Sequence, residues 1–187
     1  YMVFAMEKMR ITENTAHSRL NALKFYFEQV LGREKFFWEI PRPKKALKLP
    51  KVLSEEKIIK GLLEVENIKH KALLLLAYSA GLRVSEVISL KVTDINSDRM
   101  QISINNAKGK KDRVVTLSQS ILPILRQYYL AYKPKTWLFE GQYTNEHYSS
   151  RSAQQIFRDA YKKLQLPAQC SFHSLRHSFA THLLENG

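Results

Sequence analysis

A mostly helical chain carrying one small antiparallel β-hairpin is the fold class the sequence predicts, and three observations predict it. Apolar residues recur at spacings of three and four through most of the chain, one short stretch alternates with a period of two, and turn-forming residues separate these segments. Residues 1–9 are apolar-rich and read as the remnant of a longer helix. Thr12 then offers an N-cap, and Ala16, Leu20, Leu23, Phe27 and Val30 form an amphipathic stripe. Pro41, Pro43 and Pro50 keep residues 39–52 extended, because helix is disfavoured at and before each proline. Ser54 caps the next helix, with Glu55 and Glu56 favourably placed against the positive end of its dipole.

An apolar run from Ala72 to Tyr78 stops at Gly81, and a second amphipathic run, Val84 to Leu90, starts at once. Met100 to Ile104 alternates as a strand does, Arg113 to Leu117 reads as its partner, and Asn105 to Asp112 is the turn between them. A helix is expected from Ser118 to Tyr132, with Ile121, Leu122, Leu125, Tyr128 and Tyr129 inward and Pro134 ending it. After a polar loop, Gln142 to Ser150, comes a helix over Ser152 to Leu164 that turns Ile156, Phe157, Ala160 and Leu164 inward. In the last helix Phe172, Leu175, Phe179 and Leu183 make the core stripe, and His173 and Arg176 share another face.

Charge narrows the partner. Thirty Lys and Arg against seventeen Asp and Glu give a net +13 over 187 residues, which favours a polyanion. These charges are spread over several segments and loops, which argues against a membrane-surface helix. The single Cys170 allows no internal disulfide, and neither a signal peptide nor a membrane-spanning run is visible, so a cytoplasmic setting is expected. Arg42, Lys44, Lys45, Lys48 and Lys51 crowd the proline-rich linker, where they suit either a strap along a phosphate backbone or a merely solvated connector. Arg19, Asn21 and Lys24 likewise suit a solvated helix face or a DNA-facing one. Arg83 stands at a helix start, where first-turn N–H groups already carry partial positive charge. Two readings stay open: an anion such as phosphate binds there, or Arg83 pairs with Glu86 one turn on.

The segment Gly-Leu-Arg-Val-Ser-Glu-Val-Ile-Ser-Leu, residues 81–90, resembles the first arginine box of the tyrosine recombinases, the integrase family. Ala107-Lys108-Gly109-Lys110-Lys111-Asp112-Arg113 looks like that family's lysine-bearing hairpin. His173-Ser174-Leu175-Arg176-His177 looks like its His-x-x-Arg box, and the three segments come in the family's order. The resemblance implies the family's catalytic domain over residues 53–187, a basic linker over 39–52, and over 1–38 part of the helical domain that clamps DNA from the opposite side. It also implies double-stranded DNA as substrate, four subunits acting on two duplexes, and neither metal nor nucleotide cofactor.

Roles follow residue by residue. Arg83 and Arg176 would neutralise the phosphate's non-bridging oxygens, since a guanidinium is permanently charged and grips phosphate with two N–H groups. Lys108 would protonate the leaving 5′ oxygen, His173 would orient the phosphate and move a proton, and Glu86 would orient the cations around it. Lys110 and Lys111 suit contacts to the DNA backbone. The family's nucleophile is a tyrosine preceded by a second His or Trp, both lying downstream of the segment matched by Leu183 to Gly187. Tyr78, Tyr128 and Tyr129 fall in apolar patterns, and Tyr143 and Tyr148 precede the second arginine box, so the nucleophile is expected beyond residue 187. Without that tail the chain is expected to be inactive in strand cleavage and monomeric in solution. Two rivals remain at this point: a non-catalytic DNA-binding protein on the same fold, and a metal site on His173 and His177, which lacks the glutamate of His-Glu-x-x-His and has Arg176 beside it.

Overall fold

The computed structural model describes residues 12–33, 54–105, 112–143, 145–163 and 170–185. The linker cations Arg42, Lys44, Lys45, Lys48 and Lys51, and the hairpin lysines Lys108, Lys110 and Lys111, lie outside the described residues. The chain divides into two compact units, residues 1–49 and 50–187.

In the first unit, helix α1 spans Glu13–Phe25, and its N-cap is Thr12, whose hydroxyl accepts from Thr15 N–H. The helix runs on into a π turn, Tyr26–Val30, that closes at Gly32 with φ of +58°. Of the expected stripe only Ala16 is fully buried within what is described, while Val30 is exposed.

The second unit is mostly helical with a three-stranded antiparallel sheet, as the sequence pattern predicts. Its helices are α2 (Glu55–Leu63), α3 (Ile68–Ser79), α4 (Val84–Ile88), α5 (Leu122–Tyr132), α6 (Ser150–Lys163) and α7 (Phe172–Glu185). Helix α3 is the spine. Every residue from Ala72 to Tyr78 is buried, so this helix is apolar all round, with α2, α5, α6 and α7 packed about it. Leu73, Leu74 and Leu76 are fully buried, and each contributes roughly 1.5–3 kcal/mol of hydrophobic stabilisation. Asn67 caps α3 by accepting from the N–H groups of Lys69 and His70. Ser54 begins α2 in an extended conformation, but its hydroxyl makes no capping bond.

The sheet runs β1 (Ile95–Asn96), β2 (Gln101–Ile104), β3 (Arg113–Thr116), with Ile102 opposite both Ile95 and Val115. Alternation in β2 turns Ile102 and Ile104 into the core and leaves Gln101 outside. Met100, expected inside the strand, takes φ of +52° in the turn before it. Three helix boundaries also differ from the sequence pattern. Helix α4 stops at Ile88, where Leu90 leaves the helix and its carbonyl accepts from Leu138 N–H. Helix α5 begins at Leu122, not Ser118, because Pro123 suits a first turn, and it ends at Lys133, which is left-handed with φ of +47°. Helix α6 starts at Ser150, and Leu164 lies outside the described residues. Two expected core residues are exposed: Tyr129, one step round α5 from buried Tyr128, and Leu183, whose place on the inner face of α7 is taken by Ser178 and His182. No described helix is long and apolar enough to cross a membrane.

Candidate phosphate-binding site

The site is built where α3 turns into α4. Gly81 adopts φ of +58°, and Leu82 N–H returns to the Ala77 carbonyl at 2.9 Å, which closes α3. A Cβ at Gly81 would overlap the Phe179 ring, so only glycine lets α7 come this close. That approach brings Arg176 of α7 to the turn, where its Nη1 donates to the Gly81 carbonyl at 2.6 Å. The two arginine boxes are therefore joined through the backbone of the glycine that separates α3 from α4.

Glu86 is the centre of the cluster. It is the third residue of α4, so its carboxylate reaches back to accept from Arg83 N–H at 2.8 Å, as in a capping box. Arg83 Nη1 also donates to Oε1 at 2.7 Å. Arg113, the first residue of β3, donates through both terminal nitrogens, to Oε1 at 2.9 Å and Oε2 at 2.8 Å. Arg176 Nη1 lies 3.7 Å from Oε2. Three guanidinium groups thus surround one carboxylate, and the carboxylate is 6% exposed while each arginine side chain is about a third exposed. Among the described residues Glu86 is the one buried carboxylate. Burial alone pushes its pKa up, but hydrogen bonds from Arg113 and from the backbone and side chain of Arg83 override that and hold it down to about 2. Arg113 is pushed up by its hydrogen bonds to Glu86, and Arg176 is pushed down by burial and by the like charges of Arg83 and Arg113.

The cluster settles the local question about Arg83: it does pair with Glu86, and this does not cancel its charge. One carboxylate against three cations leaves a local excess of two positive charges. Both terminal nitrogens of Arg113 bond to Glu86, whereas Arg83 and Arg176 each use only Nη1 among the described residues, and about a third of each of their side chains is exposed. An anion with several oxygens is the ligand such a pair of forks suits.

His173 is exposed in the first turn of α7. With Val84 of α4 and Gln154 and Arg158 of α6 it lines a cleft of about 310 Å³, whose lining includes none of the four cluster residues. The structure therefore brings together Arg83, Glu86 and Arg176, while His173 shares a helix with Arg176 and lines the separate cleft. Sequence reasoning missed Arg113 as a member, along with Gln154 and Arg158 in the cleft. Arg113 closes the hairpin segment, and a signal existed in its charge, but its partner lies 27 residues away, beyond any helical spacing. Among the described residues no three His, Cys, Asp or Glu converge to hold a metal ion, so the pair His173 and His177 gains no third ligand there.

The phage integrase family profile matches residues 51–187. The chain belongs to the phage integrase family. A putative integrase/recombinase of Sinorhizobium fredii, y4qK, is 40% identical over 188 residues, covering 100% of this chain and 61% of the relative. Tyrosine recombinase XerA of Pyrococcus horikoshii is 35% identical over 171 residues, covering 90% of this chain and 59% of XerA. The integrase-family chain thus spans about six-tenths of the length of these two relatives. Among solved structures, the site-specific recombinase XerH bound to difH substrate superposes with a TM-score of 0.79 at 20% identity, over 98% of this chain and 57% of that one, a likeness of fold. Tyr78, Tyr128 and Tyr161 of this chain are all buried, and burial raises each phenol pKa, that of Tyr78 to about 12.

Proposed function

We propose that this chain is the phosphate-gripping part of a tyrosine recombinase that cuts and rejoins double-stranded DNA at specific sites. The observation that carries this reading is the excess of two positive charges at the α3–α4 turn, presented by Arg83 and Arg176, whose side chains are each about a third exposed. A phosphodiester seated there would have its non-bridging oxygens held by the two forks. Electrostatic stabilisation of this kind contributes about 10² to 10³ in rate for each donor removed. In the reaction a tyrosine oxygen bonds to phosphorus as the bond to the 5′ oxygen breaks, and Lys108 gives that oxygen its proton. The resulting 3′-phosphotyrosyl bond is then attacked by a 5′ hydroxyl of another strand, which restores the phosphodiester and frees the tyrosine. His173, one turn before Arg176 on α7, orients the phosphate and moves a proton at its ring nitrogens.

The nucleophile is supplied by polypeptide outside residues 1–187. Two of the nine tyrosines are engaged elsewhere, which supports this: Tyr78 is hydrogen-bonded to buried His182, and Tyr128 donates to the Leu138 carbonyl. Arg42, Lys44, Lys45, Lys48, Lys51, Lys110 and Lys111 hold the duplex backbone, in keeping with the net +13 and with the DNA bound to the similarly folded XerH. Recombination by this scheme assembles four subunits on two duplexes.

Two measurements on the 187-residue chain test the reading. Its affinity for duplex DNA falls by about 10³ or more between 50 and 200 mM salt if six or more phosphates are contacted. A salt-independent affinity would remove the electrostatic basis of the proposal. On a nicked duplex the chain gives no covalent adduct on a denaturing gel, and an adduct would show that the nucleophile lies within these residues after all.

A further inference from the structure

Arg113 belongs to none of the arginine boxes, and its side chain is committed to Glu86, which accepts from both of its terminal nitrogens at 2.8 and 2.9 Å. Without it the carboxylate of Glu86, almost wholly buried, would be left to Arg83 and to Arg176 at 3.7 Å. A buried carboxylate draws in whatever N–H groups are near, because leaving its lone pairs unfilled is costly. Those nearest are the N–H groups of Arg83 and Arg176. Charge gives the same answer. With Arg113 in place, Glu86 and Arg113 form a neutral pair, and two cations remain; without it, one of those two is cancelled.

We propose that Arg113 is the positioning residue of the phosphodiester site: by occupying Glu86 with its whole fork, it lets Glu86 hold Arg83 in place without closing Arg83 and Arg176 to the substrate. The inference rests on the recombinase reading above and adds a residue that acts through Glu86. Its place in the fold extends the role, since Arg113 opens β3, pairs across the sheet with Ile104, and so fastens the base of the hairpin to the start of α4.

The test is a double-mutant cycle read by fluorescence anisotropy on a labelled duplex at several salt concentrations, with Arg113→Met, Glu86→Gln and the pair combined, each checked for a cooperative unfolding transition. Arg113→Met is expected to weaken binding about tenfold, the scale of one charge-assisted hydrogen bond. Combined with Glu86→Gln, it is expected to return to within about threefold of Glu86→Gln alone, because no buried charge then competes for Arg83 and Arg176. The salt slope of the combined variant stays at the wild-type value. Additive losses with a slope reduced by about one would mean that Arg113 itself holds a phosphate, and would overturn the inference. Unchanged affinity in a folded Arg113→Met protein would overturn it too. Should Arg113→Met fail to fold, Arg113→Lys keeps the charge without the fork and carries the same expectation of weaker binding, restored by Glu86→Gln. If the wild-type chain shows no salt-dependent DNA binding, the recombinase reading falls and this inference with it. Normal wild-type binding with an additive cycle sinks only the inference.

Discussion

Helix α7 is fastened at two places, and they are built on opposite principles. At its N-terminal half Arg176 meets the Gly81 carbonyl and the Glu86 carboxylate in a cluster of formal charges that stays a third exposed. Two turns on, His182 meets the neutral phenol of Tyr78 of α3 at 2.8 Å, and both residues are 6% exposed. The arginines of the first contact are about a third exposed, whereas both residues of the second are largely buried. Charge left reachable from solvent can serve a ligand, while a buried contact to a phenol fixes one helix against another. Variants that touch both fastenings should cost the most, and those confined to the buried one should leave DNA binding intact.

Gly81 touches both, and replacing it gives the largest expected effect. Gly81→Val must adopt φ of +58° and drive a side chain into the Phe179 ring, which lies between Arg176 and His182 on α7. Left-handed strain of about 1–2 kcal/mol adds to overpacking of about 1–3 kcal/mol, so a loss of roughly 2–5 kcal/mol is expected in urea denaturation. DNA affinity should fall as well, because Arg176 loses its carbonyl anchor. A Gly81→Val protein with normal stability would mean that α7 does not depend on this close approach.

Much of the charged fastening was legible in the sequence, and little of the buried one was. Arg83 and Glu86 are three apart at a helix start, so their pairing follows from helical geometry alone. Arg176 and His173 were legible only through the resemblance of their box, since nothing local says that α7 lands on Gly81. Arg113 and Glu86 are joined across 27 residues, and Tyr78 and His182 across 104, so neither pairing leaves a periodic trace. The fold class followed from apolar periodicity, but β1, two residues long, is too short to alternate. Leu183 failed as a core residue because apolarity identifies a residue willing to be buried without saying which face the neighbours cover. On α7 that face carries Ser178 and His182, which no hydrophobic pattern would select.

The charged fastening is sharpened by its pH dependence. Glu86 is held down to about 2 in the folded protein, below the usual carboxylate range. Its stabilising contribution is therefore complete above the unfolded value near 4.5 and is lost progressively as pH falls from there towards 2. A fully sheltered group shifted this far would be worth about 3 kcal/mol; with partners a third exposed, about 2 kcal/mol is the better expectation. Urea denaturation of wild type and Glu86→Gln at pH 7, 4 and 3 measures it. The wild-type advantage should shrink steadily towards pH 3, and an advantage that does not change with pH would assign the effect to packing.

The buried fastening carries the smallest expected effect. Burial and the nearby Glu55 push the Tyr78 phenol up to about 12, so it stays protonated through the whole pH range in which the Glu86 contribution changes. Tyr78→Phe keeps the ring and removes only the hydroxyl that meets His182 Nδ1. The loss should be about 1–2 kcal/mol, the usual cost of removing one partner of a buried hydrogen bond. DNA affinity and its salt slope should not move, because no charge and no solvent-facing donor is altered. A Tyr78→Phe protein that is as stable as wild type yet binds DNA less tightly would reverse the comparison, for it would give the buried pair a role in holding Arg176 to its target that geometry assigns to Gly81.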